Sequence, residues 1–290
     1  MMANLLQGKT IAEKINQQVS QEVVHLRDKY KLQPMLCAIQ VGDDKESTLY
    51  LEFQGKVAQR LNIGYLIKKM PKQTTKQELI VLIKQLNNDP QINGIILQLP
   101  LPEHLDPNEI RGSLNPAKDV EGVHPENLGN IILKRKGFAP CTACAVMELL
   151  KSLDIDLYGK EAVIIGHSEI VGKPLAIMLL NELVTTTVCH IATGKRGVLA
   201  EHVKRAEILI VAVGKPNLIK GDWIKPGAIV IDVGINCIDQ KIVGDVEFEQ
   251  AEKKASFITP VPGGVGPVTV ALLMQNVMQA AKAQLNLDGE

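Results

Sequence analysis

Lys160–Pro174 reads KEAVIIGHSEIVGKP, and the order of apolar run, glycine turn and second apolar run decides the fold. Ala162–Ile165 is short, apolar and rich in β-branched residues, the pattern of a parallel strand buried on both faces. Gly166 ends it, and Ser168 stands where a helix N-cap or a phosphate ligand would. Gly172 opens the first turn of the next apolar run, Leu175–Leu180. A strand, a glycine turn and a helix N-terminus together favour an anion, because unpaired N–H groups and the helix dipole face the same ligand. The spacing is G-x5-G, however, and not the G-x-G-x-x-G of the common dinucleotide turn. The stretch is a βα turn of an α/β protein, and its spacing leaves phosphate binding open.

The alternation continues on both sides. Downstream, strands are expected at Thr186–Ile191, Ile208–Val213, Ala228–Val233 and Phe257–Ile258. Helices are expected at Leu199–Arg205, Glu247–Lys254 and Val268–Ala283, the last amphipathic. This half reads as a doubly wound nucleotide-binding domain. Upstream, a helix over Gly8–Lys29 precedes a strand at Met35–Val41. Ser47 is expected to cap a helix to about Asn62, with a strand at Gly64–Ile67. Thr74 or Thr75 caps a helix to Asn87, and Gly94–Leu99 is a buried-strand pattern broken by Gln98. Three βα units in series imply a parallel sheet with right-handed crossovers. Pro100, Pro102, Pro107, Pro116, Pro125 and Pro140 then fall too densely for continuous elements, which makes this stretch either a linker or the loop-built wall of a site. A helix over Thr142–Leu153 leads into the second half. The expected division is residues 1–145 with 271–290, and residues 146–270.

Composition excludes several function classes. Lys+Arg and Asp+Glu number 32 each, so no net field favours nucleic acid or an anionic membrane. Aromatic residues are 3%, too few for base-stacking platforms. There is no apolar run of signal-peptide or membrane-spanning length. Cys141 and Cys144 form a C-x-x-C with no second ligand pair at zinc spacing, so no metal site is expected. A cytoplasmic, reduced protein is the expectation.

Polar residues at strand ends are the site candidates. A ribose-binding carboxylate normally stands about 20 residues past the glycine turn in NAD enzymes of this fold. Here the second strand runs into His190, Lys195 and Arg196 with no carboxylate, which suits a 2′-phosphate unless the two cations only solvate a loop. Asp232 and Asn236 lie at the end of a buried strand. Gln98 interrupts an apolar run and is either satisfied internally or faces a ligand. Tyr50 and Gln54, at i and i+4, share a helix face, where both also fit as ordinary half-buried residues.

Nearly end to end, the chain resembles the bacterial bifunctional methylenetetrahydrofolate dehydrogenase/methenyltetrahydrofolate cyclohydrolase family. The residues that carry the resemblance are GIILQLPLP (94–102), KDVEGVHPEN (118–127), PCTA (140–143), GHSEIVGKP (166–174), AVGKP (212–216), GDWIKPGAIVIDVGIN (221–236), GDVEFE (244–249) and TPVPGGVGPVT (259–269). The resemblance implies an N-terminal α/β folate domain with a parallel sheet, a Rossmann-like NADP-binding domain, a cleft between them and a homodimer. It implies NADP-dependent oxidation of 5,10-methylenetetrahydrofolate, then hydrolysis to 10-formyltetrahydrofolate.

By the same resemblance, tetrahydrofolate meets Tyr50, Gln98, Leu99, Pro100, Glu121, Pro262, Gly263 and Gly264. NADP meets Gly166, His167, Ser168, Ile170, Val171, His190, Lys195, Arg196, Val213, Gly214, Lys215, Gly234 and Ile235. The catalytic positions are Tyr50, Gln54, Gln98 and Glu121, and two of these depart from the family pattern. Where the family has a lysine one turn after the tyrosine, for proton transfer and water activation, this chain has Gln54. The pterin-binding aspartate is Glu121. Lys56, the nearest amine, lies roughly 200° round the helix from Gln54, and rescue of the chemistry by Lys56 or Glu52 through a shifted helix is the open alternative. Hydride transfer depends on alignment, whereas hydrolysis needs a proton acceptor that an amide cannot supply. The expectation is a dehydrogenase with impaired cyclohydrolase activity; a folate- and NADP-binding protein with little turnover and an NADP oxidoreductase for a non-folate substrate are the alternatives.

Overall fold

The structure, a computed structural model, describes residues 2–239 and 241–287. Its strands are β1 (Asn4–Leu5), β2 (Met35–Val41), β3 (Gly64–Met70), β4 (Gly94–Leu97), β5 (Glu161–Ile165) and β6 (Thr185–Cys189). They continue with β7 (Ile208–Val211), β8 (Ile229–Asp232), β9 (Asn236–Ile238), β10 (Lys241–Val243) and β11 (Phe257–Ile258). The helices of the first half are α1 (Gly8–Tyr30), α2 (Lys45–Arg60), α3 (Lys76–Asn88), α4 (Pro107–Arg111) and α5 (Pro125–Ile132). Those of the second are α6 (Cys141–Lys151), α7 (Gly172–Asn181), α8 (Ile191–Lys195), α9 (Leu199–Arg205), α10 (Phe248–Ala251) and α11 (Val265–Gln284).

Two compact units result: Met1–Ala12 with Pro140–Thr269, and Glu13–Ala139 with Val270–Glu290. The sequence pattern groups residues 1–12 and 140–145 with the first half instead. The N-terminal segment joins the nucleotide unit because β1 pairs in parallel with β11, Asn4 opposite Phe257 and Leu5 opposite Ile258. A two-residue strand leaves no periodicity to read.

In the nucleotide unit six parallel strands lie in the order β1-β11-β8-β7-β5-β6. The chain leaves β5 to one side for β6, then crosses to β7 on the other side, so the topological switch point lies between β5 and β7. Val163, Ile165, Leu209, Val211 and Val230 pack there with Val203 and Ala251 from the helices. The folate-type unit holds three parallel strands in the order β3-β2-β4, with a switch point between β2 and β4. Its core joins Cys37, Ile39, Ile95 and Leu97 to Leu79, Ile83 and Leu86 of α3.

The βα pattern was legible, but several terminators were not. Asp44, not Ser47, caps α2: its carboxylate accepts from the Ser47 N–H at 2.8 Å, and the Ser47 hydroxyl donates to the Leu99 carbonyl at 3.0 Å. Thr75 caps α3 in a reciprocal capping box with Glu78. Ser168 caps no helix; α7 begins at Gly172 without a side-chain cap, and the Ser168 hydroxyl accepts from the Val171 N–H at 3.2 Å. The proline-dense region is interrupted by α4 and α5, each opened by a proline in its first turn, where a missing N–H costs nothing. The antiparallel pair β9–β10 and the short α8 were not expected.

Candidate active site

At the switch point of the three-stranded sheet, α2 follows β2 and the loop Gln98–Pro100 follows β4. Gln54 points into the protein with 1% exposure, while Tyr50, one turn earlier, is 36% exposed. The sequence reading did not single out Tyr65, yet its hydroxyl donates to Gln54 Oε1 at 3.0 Å. Burial pushes the Tyr65 hydroxyl up, and Tyr50, Glu121 and Cys37 add to the shift, so the phenol keeps its proton and acts as the donor. Gln98 sits beyond the end of β4, and its amide donates to the Leu99 carbonyl at 2.6 Å. It makes no hydrogen bond to Gln54 among the described residues. Lys56 and Glu52 are both exposed on α2.

Glu121 is presented by a loop held from several directions. The Lys118 ammonium donates to the carbonyls of Leu86 and Asp89, a structural role. Asp119 accepts from the His124 N–H and the Asn127 amide, and Asn276 donates to the Val120 carbonyl. Gly122 has φ +72°, and a Cβ there would meet the Ala139 backbone at 2.3 Å. Burial, reinforced by Asp119 and opposed by Arg111, pushes the Glu121 carboxyl up to about 8. Near neutral pH it can therefore donate as well as accept.

In the nucleotide unit the expected cofactor residues fall at the carboxyl ends of consecutive parallel strands: Gly166 after β5, His190 after β6, Val213 to Lys215 after β7, Gly234 and Ile235 after β8. Gly166 and Ala212 face each other across the switch point; Gly166 has φ +123°, and a Cβ would meet the Ala212 carbonyl oxygen at 2.3 Å. A Cβ on Gly172 would lie 2.1 Å from the Gly166 carbonyl oxygen, which gives the G-x5-G spacing its reason: the start of α7 rests on the turn. His190 caps α8 through Nδ1, and its ring lies 5.4 Å from that of His167. Lys195 and Arg196 are exposed at the end of α8, and no carboxylate stands at the end of β6. A glycine-lined turn, a helix N-terminus without a side-chain cap and a basic strand end fit a phosphorylated dinucleotide.

The sequence reading missed Asp245. Its carboxylate accepts from the N–H groups of Val213, Gly214 and Lys215 at 2.7, 2.9 and 2.8 Å, and from the Asn236 amide at 2.9 Å. Those three backbone donors are thus taken by the protein itself. Asp232, a polar residue at a strand end, accepts from the N–H groups of Gly234, Asp245 and Val246. Burial nevertheless pushes its carboxyl up to about 6, against those donors. Gly263 and Gly264 lie beside the start of α1, where the Gly8 N–H donates to the Gly263 carbonyl at 3.0 Å. Among the described residues no helix is long and apolar enough to cross a membrane, and no group of His, Cys, Asp and Glu is placed to hold a metal.

Residues 6–121 match the tetrahydrofolate dehydrogenase/cyclohydrolase catalytic domain, and residues 140–285 match the NAD(P)-binding domain of the same family. The bifunctional protein FolD of Acetivibrio thermocellus is 47% identical over 288 residues, covering 99% of this chain and 100% of that one. The crystal structure of the bifunctional enzyme FolD from Campylobacter jejuni matches with a TM-score of 0.93 at 44% identity, covering 97% of this chain and 99% of that one. FolD of Trypanosoma brucei, complexed with NADP cofactor and inhibitor, matches with a TM-score of 0.94 at 37% identity, over 98% and 99% of the two chains. With the catalytic-domain model on one part, the NAD(P)-binding model on the other and relatives that match from end to end, the chain belongs to the tetrahydrofolate dehydrogenase/cyclohydrolase family.

Proposed function

We propose that this chain oxidises 5,10-methylenetetrahydrofolate with NADP+ in one-carbon folate metabolism, and that the family's second activity, hydrolysis of the methenyl product, is strongly reduced. Position 54 carries the reading: a buried amide, its oxygen bonded by Tyr65, stands where the family pattern has an amine. NADP supplies the hydride acceptor when bound. In the dehydrogenation the methylene carbon gives up hydrogen with its electron pair and becomes the methenyl cation, so the side chains need only bind and align the folate. Tyr50 offers a ring for stacking, Gln98, Leu99 and Pro100 form the strand-end wall, and Glu121 holds the pterin through an acid that both donates and accepts. Pro262, Gly263 and Gly264 allow close backbone approach.

Hydrolysis is different, because the attacking water must lose a proton in the step, and a base tuned near the working pH contributes on the order of 10²–10⁴-fold. Gln54 cannot take that proton. In the nucleotide unit the turn Gly166, His167, Ser168, Ile170 and Val171 receives the phosphates. His190, Lys195 and Arg196 select the 2′-phosphate, and Val213, Gly214, Lys215, Gly234 and Ile235 line the rest. This reading carries a cytoplasmic homodimer joined through the nucleotide unit, which the exposed apolar side chains of Ile238 and Ile242, at 40% and 47%, support.

The test is a paired assay on the pure protein. NADPH formation from 5,10-methylenetetrahydrofolate is followed, and separately the loss of methenyltetrahydrofolate absorbance against its spontaneous rate. Dehydrogenase turnover with hydrolysis close to the spontaneous rate is expected. Enzyme-dependent hydrolysis far above that rate overturns the loss at position 54, and folate binding without either turnover leaves a binding protein.

A further inference from the structure

We propose that Tyr65 is a positioning residue of the folate site, holding the Gln54 amide so that position 54 meets the substrate through its amino edge alone. The inference rests on the folate-site reading of Tyr50, Gln54 and Gln98. An unconstrained glutamine presents either its oxygen or its amino group to a ligand after a half-turn of the amide. Here the oxygen is occupied by the Tyr65 hydroxyl at 3.0 Å, and the Gln54 side chain has no other hydrogen-bond partner among the described residues. The amino group is the polar edge that remains. It complements a lone pair on a ring nitrogen or carbonyl oxygen, and it repels the approach of a group that needs a proton acceptor.

Three features of the chain build this contact. The register of β3 on β2, Leu36 opposite Tyr65, fixes where the tyrosine starts. Gly55 makes room for the ring: a Cβ there would lie 3.1 Å from Tyr65 Cδ1 and 3.3 Å from Cε1, tighter than ordinary van der Waals contact. Gln54, on the same helix turn, is then within reach of the hydroxyl. Reversing the amide would turn its amino group onto the phenol oxygen and leave the Tyr65 O–H without the acceptor it has here. Replacement of an amine by an amide at position 54 is thereby one part of a set of three residues, Gln54, Gly55 and Tyr65.

The test is a double-mutant cycle on the full chain: wild type, Tyr65→Phe, Gln54→Ala and the double variant. Each is measured for dehydrogenase kcat, for KM of folate and NADP separately, and for the Kd of 5,10-methenyltetrahydrofolate. Tyr65→Phe keeps the ring on Gly55 and removes only the donor. It is expected to lower kcat/KM for the folate about five-fold, the usual consequence of one neutral hydrogen bond, with KM for NADP unchanged. In the Gln54→Ala background the same change is expected to do nothing further. Wild-type folate kinetics in Tyr65→Phe, or an equal loss in the Gln54→Ala background, overturns the positioning role while leaving the dehydrogenase reading intact. Absence of both turnover and folate binding in the wild type overturns the two together. Should Tyr65→Phe not fold, Gln54→Met fills the space without an amide and is expected to lose the same five-fold; wild-type folate kinetics in it overturn the role.

Discussion

Glu121 shows how far its surroundings change a carboxyl. Its carboxyl titrates at about 8 in the folded chain and near 4.5 when unfolded. Between those values the native state holds a proton that the unfolded state has released, so this group's contribution to stability falls as pH rises through the window and levels off above 8. The loss is at most about 1.4 kcal/mol per pH unit, and less because the side chain keeps some solvent access. Glu121→Gln removes the titration. Denaturant unfolding at pH 5, 6.5 and 8 is expected to show the glutamine variant gaining on the wild type at each step, and parallel pH slopes would refute the raised carboxyl. The identity of Glu121 could be read from the KDVEG block, but its proton could not, since burial holds it there, with Asp119 reinforcing and Arg111 opposing through space.

At the scale of elements, the contact between the start of α7 and the β5 turn positions the edge proposed to receive the cofactor phosphates. Gly172→Ala places a methyl 2.1 Å from the Gly166 carbonyl oxygen, within backbone where no side chain can yield. A loss of roughly 1–3 kcal/mol in stability is expected, with NADP affinity falling at least ten-fold as the turn shifts. Thermal unfolding and NADP titration check both, and wild-type values for the variant would show that α7 does not rest on that turn. The sequence displayed both glycines and the strand–turn–helix order, because these follow from local pattern. The true cap of α2, the helix α8 and the pair β9–β10 were hidden: Asp44 and Ser47 are equally good caps in isolation, and only the Leu99 carbonyl, fifty-two residues away, takes the serine hydroxyl.

For the whole molecule, each unit has a core cluster and a switch point of its own, and each ligand is expected to protect the switch point assigned to it. Hydrogen exchange with NADP should slow residues 166–172 and 190–196, and exchange with a tetrahydrofolate analogue should slow residues 50–54 and 98–100. NADP protection confined to the α2 segment would reverse the assignment of the units.

The sequence by itself determined the alternation of strands and helices, the glycines at the strand ends, the family and the departures at positions 54 and 121. All of these are written in local spacing and residue type. The tertiary structure alone decided that β1 completes the six-stranded sheet, that Asp245 takes the backbone donors of Val213, Gly214 and Lys215, and that Tyr65 holds Gln54. Each of those contacts joins residues from separate elements, where a polar group's role is set by which partner packing brings within hydrogen-bond distance.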